Sequence, residues 1–145
     1  MLALLTALGC QSPRMVAAVD IKQLMTAVLE PAAETYWDAV GSVDDSTGTS
    51  SFAPQSAEDW AAVRNSAVVL AESGNLLMME GRAPDRGEWI SLSRALVDAG
   101  KEAIAAATAQ DTAAVFAAGA NVYDACSRCH ASYATQLVRP ANQPR

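Results

Sequence analysis

The stretch Cys126-Ser127-Arg128-Cys129-His130 decides how the rest of this chain is interpreted. Two cysteines separated by two residues and followed at once by a histidine form the pattern at which haem c becomes attached. The two thiols add across the vinyl groups of haem, and the neighbouring imidazole binds the iron. The chain contains three cysteines and one histidine, so His130 is the single imidazole available. We therefore predict one covalently attached haem c, with His130 as its proximal ligand.

The spacing of this stretch is also suited to a helix. Cys126 and Cys129 are three residues apart, and Cys126 and His130 are four apart, so all three project from one helical face. Apolar and aromatic residues at helical spacing predict that the same face continues in both directions. Its upstream members are Val115, Phe116, Gly119, Val122 and Tyr123, and its downstream members are Tyr133 and Leu137.

Three other interpretations of the cysteine pair remain open at this stage. A redox dithiol is expected beside a βαβ pattern, and no strand signal is visible. A zinc site would need two further ligands, whereas Cys10 is remote and there is no second histidine. A simple disulfide is the remaining alternative.

The composition limits the classes of protein to which the chain can belong. Its 145 residues fit one domain, and 51% of them are hydrophobic, with alanine dominant and only two phenylalanines. Such a core of small residues favours helices and leaves room for a large prosthetic group. The formal charge of −6 speaks against a nucleic-acid partner, which requires a basic surface. No apolar run is long enough to span a bilayer.

The first residues resemble the end of a bacterial lipoprotein signal. A short apolar run ends at Gly9-Cys10, which predicts that Cys10 becomes lipidated and tethers the protein to a membrane. The run departs from the pattern at Ala7, where leucine is usual, and it lacks a positive segment before it. Gln11 rather than aspartate after the cysteine favours the outer membrane. Residues 1–19 are therefore predicted to be signal and tether, and the alternative is a frayed apolar terminus with an ordinary free cysteine.

Capping residues and turns divide the remainder into four predicted helices. Asp20 is the expected N-cap of the first helix, which Pro31 should kink near Ala27, or else break in two. Residues 41–55 are predicted to be a loop. Ser56 with Asp59 resembles a capping arrangement for the second helix. A turn is predicted at 81–87, before the third helix. Asp111 is the expected N-cap of the last helix.

Each predicted helix has an apolar face. The first has Ile21, Leu24, Met25, Val28, Leu29, Ala32, Tyr36 and Val40; the second has Trp60, Val63, Ala67, Leu70, Gly74, Leu77 and Met78; the third has Trp89, Leu92, Leu96, Ala99, Ala103 and Ala107. The tryptophans Trp37, Trp60 and Trp89 are expected in the core rather than as electron conduits. The fold class is thus all-α, an antiparallel up-down-up-down four-helix bundle over 20–138, with a tail at 139–145.

Four helices with this motif in the last one resemble the class II cytochromes c, the cytochrome c prime family. The resemblance covers residues 20–137 and is most specific at 123–130 and at Lys22-Gln23-Leu24-Met25. It implies a periplasmic monohaem c-type cytochrome that transfers electrons and is not an enzyme, with no catalytic residue. In low-spin relatives a methionine in a segment like 22–25 is the sixth iron ligand, so Met25 is the implied distal ligand. The alternative is that Met25 only fills space beside the haem.

The same family contains a second functional class. High-spin members leave the distal side of the iron open and bind gases such as NO or CO, so a five-coordinate gas-binding protein is the alternative function. Many relatives carry a basic residue four positions after the histidine, where this chain has Ala134, so Arg128 or Lys22 would have to replace it. The resemblance also implies redox partner proteins and a homodimer through the first two helices. A haem-free lipoprotein bundle is the third hypothesis.

Overall fold

The computed structural model describes residues 15–137, and the side chains as far as residue 134. This part of the chain is mostly helical, with four helices and a small two-stranded sheet. The predicted Cys10 tether and the tail at 139–145 lie outside the described residues. None of the described helices combines the length and the apolar character needed to cross a membrane.

The N-terminal helix, residues 21–37, consists of three continuous segments. These are α1 (Ile21–Leu24), a π-helical turn (Met25–Leu29) and α2 (Glu30–Trp37). The Asp20 carboxylate accepts a hydrogen bond from the Gln23 backbone at 2.8 Å, which confirms the predicted N-cap. Pro31 lies in the first turn of α2, and the turn before it is widened, with the Glu30 N–H bonded to the Met25 carbonyl. The predicted disturbance near Ala27 is thus confirmed, and the helix continues through it because the wider turn adapts to the missing proline N–H.

A β-hairpin occupies the segment predicted to be a loop. Strands β1 (Gly41–Asp45) and β2 (Gly48–Phe52) pair antiparallel, with Gly41 opposite Phe52 and Asp45 opposite Gly48. The Asp45 carboxylate holds the turn by accepting from the Thr47 backbone at 2.7 Å, and Gly48 takes the positive φ that glycine tolerates. The prediction of a loop, and with it of a purely helical fold, is therefore wrong. Almost every residue of the hairpin is exposed, so no alternation of apolar residues marked the strands.

Helices α3 (Ala57–Leu77) and α4 (Glu88–Thr108) form the most closely packed pair. The Ser56 hydroxyl accepts from the Asp59 backbone at 3.0 Å and the Asp59 carboxylate accepts from the Ser56 backbone at 2.9 Å, which confirms the predicted capping box. A methyl group at Gly100 would lie 2.6 Å from the Ala71 Cα. The glycine that weakens the helical propensity of α4 is thus the residue that allows α3 to approach it.

Helix α5 (Thr112–Leu137) completes the helical part of the fold. The Asp111 carboxylate accepts from the Ala114 backbone at 3.0 Å, as predicted for its cap. Antiparallel packing of α5 on α4 brings Asn121 to Glu102 and, farther along, Ser132 to Glu88. On its other side α5 contacts the N-terminal helix, where the Trp37 indole donates to the Gly119 carbonyl at 3.0 Å.

The predicted apolar faces are confirmed for α4 and largely for α3, where Met78 is only partly buried. In the N-terminal helix Ile21, Met25 and Val28 are also partly buried, while Ala33 joins the core. The prediction for α5 is wrong at Phe116 and Tyr123, which are 68% and 64% exposed. Val115, Gly119, Val122 and Tyr133 of the predicted face are buried, which confirms the prediction there, and Ala118 and Ala125 join them. Because alanine is abundant all around this helix, periodicity alone could not exclude Phe116 and Tyr123 from the buried face.

Arg82 fixes the start of the N-terminal helix to the connection between α3 and α4. Its guanidinium is buried and donates to the Val19 carbonyl at 3.1 and 3.2 Å, and to the Leu76 carbonyl at 3.1 Å. These bonds hold residue 19 at the end of the bundle where α5 carries its cysteines.

Candidate functional site

A cavity of about 660 Å³, here called the main cavity, lies between the N-terminal helix, α3, α4 and α5. Its size is typical of sites for cofactors and other small molecules. Leucines from the surrounding helices form much of its wall, namely Leu29, Leu70, Leu77, Leu92 and Leu96. The cavity therefore offers an apolar interior to a large flat group.

All four residues predicted to hold haem line the main cavity. Cys126, Cys129 and His130 reach it from α5, and Met25 reaches it from the π-helical turn of the N-terminal helix. Cys129 is buried, Cys126 and Met25 are partly buried, and His130 is exposed. Residues about a hundred positions apart in the sequence are thus brought to one cavity. Met78 and Met79, just after α3, do not line it.

A second cavity of about 610 Å³ adjoins these same groups. Met25, Cys129 and His130 line both cavities and so lie between them. The second cavity also has Trp89, Tyr133 and Ala134 in its wall. Together the two spaces give room on both sides of the cysteine and histidine motif.

The charged residues divide between the two cavities. Glu30 and Glu34 line the main cavity, whereas Lys22 lines the second one together with Asp20. Arg128, the other candidate to replace the missing basic residue, is exposed and lies 3.7 Å from the Asp124 carboxylate. Of the two candidates, Lys22 is therefore the one placed where it can meet an anionic group near His130.

The two thiols of the motif form no disulfide, and burial favours their protonated form. Burial raises the pKa of both Cys126 and Cys129 above the ordinary value for a thiol. For Cys129 the nearby Cys126 and Glu88 raise the pKa further. Reactive dithiols have the opposite property, a lowered pKa that populates the thiolate.

Tyr133 is held beside the motif by a contact that the sequence pattern did not reveal. Its hydroxyl donates to the Asp85 carboxylate, and its ring meets Trp89 edge to face at 5.0 Å. This hydrogen bond raises the pKa of Tyr133 to about 12 and lowers the pKa of Asp85. Asp85 also accepts from the Gly87 backbone at 2.8 Å, so it fixes the start of α4 to α5. The only sequence signal near this contact was the predicted turn that contains Asp85.

Trp60 and Trp89 are buried, as predicted, but Trp37 is not a core residue. It is 36% exposed and lies at the edge of the main cavity, 6.0 Å from the ring of Tyr123. The third cavity, of about 350 Å³, lies beside this pair and also contacts Phe116. Phe116 and Tyr123, the two exposed aromatic residues of α5, thus form one surface with Trp37.

The donor groups of the site suit a haem better than a bare metal ion. Among the described residues, no group of three or more histidine, cysteine, aspartate or glutamate side chains could hold a metal. A haem iron needs only one protein ligand on each face, and the porphyrin needs an apolar space with thiols at its edge. No family model, curated protein or solved structure matches this chain.

Proposed function

We propose that this protein is a periplasmic monohaem c-type cytochrome that transfers electrons, with the antiparallel up-down-up-down bundle of the cytochrome c prime family. The observation that carries the proposal is the meeting of Met25 with Cys126, Cys129 and His130 on the main cavity. The added hairpin lies outside this bundle and does not line the main cavity.

Each residue of the site has a distinct role in this proposal. Cys126 and Cys129 tether the haem through thioethers, His130 is the proximal iron ligand, and Met25 is the distal one. The bound haem supplies the one-electron couple. The leucines of the main cavity keep water away, which together with the axial ligands sets the potential. Lys22 offers a positive charge to the haem carboxylates from the second cavity.

A redox dithiol is disfavoured because the described residues form no βαβ unit, the setting in which such a dithiol is expected. A zinc site is also disfavoured, because the described residues bring no further cysteine or histidine to the motif. A haem-free bundle leaves the main cavity without an explanation. Such a cavity would only reduce the stability of the fold.

Haem staining of the denatured, purified protein tests the proposal directly, because only haem bound through thioethers remains with the chain. We expect a positive stain for the wild type and none for Cys126→Ser/Cys129→Ser. The protein should be produced with a periplasmic haem-attachment system present, and a second known c-type cytochrome should be stained beside it. A negative wild type alongside a positive control would contradict the proposal.

Gas binding is the second candidate function, and the apolar wall of the main cavity is the observation that favours it. Leu29, Leu70 and Leu96 line the same space as Met25, which is only partly buried. If Met25 ligates the iron, the ferrous spectrum is low-spin and unchanged by CO, and Met25→Ala makes it high-spin and CO-sensitive. If the wild type binds CO readily and Met25→Ala leaves the resting spectrum unaltered, the gas-binding function is the correct one.

Location and partners follow from the same proposal. A lipidated Cys10 would hold the haem domain near a membrane, since each buried CH₂ contributes about 0.8 kcal/mol of membrane affinity. We expect the native protein to partition with outer membranes, and Cys10→Ser to release it with its haem spectrum unchanged. Wholly soluble wild-type protein with an unmodified cysteine would contradict the tether and leave the haem assignment intact. Redox proteins are the proposed partners, with a homodimer through the first two helices.

A further inference from the structure

A buried hydroxyl without a partner lies in the wall of the main cavity. The Ser93 side chain is 1% exposed, and its Oγ forms no hydrogen bond. Several other helical hydroxyls of this protein bond to their own helix. Those of Thr26, Thr35 and Thr108 donate to the carbonyl four residues earlier, and that of Ser66 donates to the carbonyl three residues earlier. Ser93 therefore lacks the hydrogen bond to its own helix that these serine and threonine side chains make.

This arrangement is unfavourable unless something else supplies an acceptor. A buried hydroxyl with no partner lowers the stability of the fold, because it gives up its hydrogen bonds to water and gains none in exchange. The side chains of α4 that accompany Ser93 in the cavity wall, Leu92 and Leu96, are apolar. An occupant of the cavity can therefore supply the partner that Ser93 lacks.

Ser73 offers an internal comparison. It is also fully buried in a helix, and its Oγ also has no partner. Unlike Ser93, it does not line the main cavity. The two serines thus share their residue type, burial and lack of a hydrogen bond, and they differ in access to the cavity.

We propose that Ser93 Oγ donates a hydrogen bond to an oxygen atom of the group that occupies the main cavity. The inference rests on the proposed function, under which that oxygen belongs to a haem carboxylate; under the gas-binding alternative it belongs to a small ligand on the iron. Both are acceptors with negative charge, full or partial, and both need a donor more in an apolar space than in water. Ser93 is then a binding residue for the cofactor that neither the haem motif nor the Met25 segment indicates.

The first test compares the thermal stability of the haem-loaded Ser93→Ala and Ser73→Ala variants. Ser73→Ala removes an unpaired hydroxyl and should raise the melting temperature by about 3 °C. Ser93→Ala removes a hydroxyl that is bonded to the occupant and should lower the melting temperature by a similar amount. An increase for Ser93→Ala that equals the increase for Ser73→Ala would overturn the inference.

Two spectroscopic measurements then identify the acceptor. If the acceptor is a ligand on iron, Ser93→Ala shifts the infrared C–O stretch of the ferrous CO adduct. This measurement uses a Met25→Ala background, in which CO binds without having to displace the methionine. If it is a haem carboxylate, Ser93→Ala raises the apparent pKa seen in the pH dependence of the midpoint potential. Ser73→Ala should change neither measurement. A lowered melting temperature with both measurements unchanged would assign the bond to internal water and overturn the inference.

Failure of this inference can be told apart from failure of the proposed function. An unstained wild-type chain would overturn both. A stained wild type whose two serine variants behave alike would overturn only the role of Ser93.

Discussion

The interface between α3 and α4 and the interface between the N-terminal helix and α5 are built in opposite ways. In the first, Gly100 meets the Ala71 backbone and Gly74 meets the Ser93 carbonyl, so the helices touch main chain to main chain. In the second, larger side chains hold the helices apart, and the main, second and third cavities are each lined by both helices. One interface is closed by small residues and the other leaves space.

The contrast shows how one bundle can be both stable and able to hold a large group. Close packing of α3 and α4 supplies a rigid half whose contacts do not depend on a cofactor. The open half would lose contacts around its cavities unless an occupant restored them. We therefore expect substitutions in the closed interface to act on folding, and those in the open interface to act on cofactor content.

The largest effect should come from placing a methyl group in the closed interface. Gly100→Ala would put its Cβ within 2.7 Å of Ala71 backbone atoms, which cannot rotate away as a side chain could. We expect the free energy of unfolding to fall by about 3 kcal/mol in urea titrations. Gly119→Ala is the matched control in the open interface, where the nearest atom is in the Trp37 ring at 3.3 Å. It should be neutral or stabilise by up to about 1 kcal/mol, because alanine favours the helix. Equal losses at both positions would remove the contrast.

Filling the main cavity should affect haem content more than folding. Ala33 is buried and lines the main cavity, so Ala33→Trp would occupy space that the haem needs. We expect the haem absorbance per chain to fall about twofold or more, with the helical circular dichroism retained. Ala120→Trp, which fills the third cavity, should leave the haem content unchanged. A full haem complement in Ala33→Trp would show that the main cavity is not the haem site.

A smaller effect is expected from the hydrogen bond that joins the two helices of the open interface. Trp37→Phe removes the bond from the indole to the Gly119 carbonyl but keeps an aromatic ring at the cavity edge. The loss should be about 1 kcal/mol of unfolding free energy. Tyr123→Phe, a change in the neighbouring ring that removes only its hydroxyl, serves as the comparison. If Trp37→Phe costs no more than Tyr123→Phe, the bond does not hold the interface together.

The smallest effect should depend on pH and involve the pair of Tyr133 and Asp85. The lowered pKa of Asp85 means that its stabilising contribution is present above the ordinary value of 3.8 and is lost as the pH falls through the folded-state pKa. The pKa of Tyr133 is raised from 10.0 to about 12, so its contribution is complete below pH 10 and disappears as the pH rises to about 12. Tyr133→Phe should therefore be less stable than the wild type at neutral pH.

Melting temperatures measured from pH 3 to pH 11 would check this expectation. The difference between Tyr133→Phe and the wild type should narrow toward both ends of the range. A difference that stays constant across the range would mean that the contact between the two rings, and not the hydrogen bond, links α4 to α5 here.

The sequence by itself determined the positions of the helices and the motif that organises the site. The caps at Asp20, Ser56 and Asp111 could be predicted because a side chain that bonds the first turn acts within three residues of itself. The inward faces of α3 and α4 could be predicted because large apolar residues repeat there at helical spacing. The grouping of Cys126, Cys129 and His130 on one face follows from the same geometry.

Only the tertiary structure decided which parts of the chain meet across the bundle. The hairpin at 41–52 is held by backbone pairing with exposed side chains, so composition alone made it resemble a loop. In α5 only the packing decided that Phe116 and Tyr123 lie at the surface, because alanines lie on every side of that helix. Met25 and the motif, which are far apart in the sequence, line the same cavity. The bond of Tyr133 to Asp85 likewise joins two distant segments. Such contacts depend on how helices are positioned in three dimensions, and local periodicity carries no information about them.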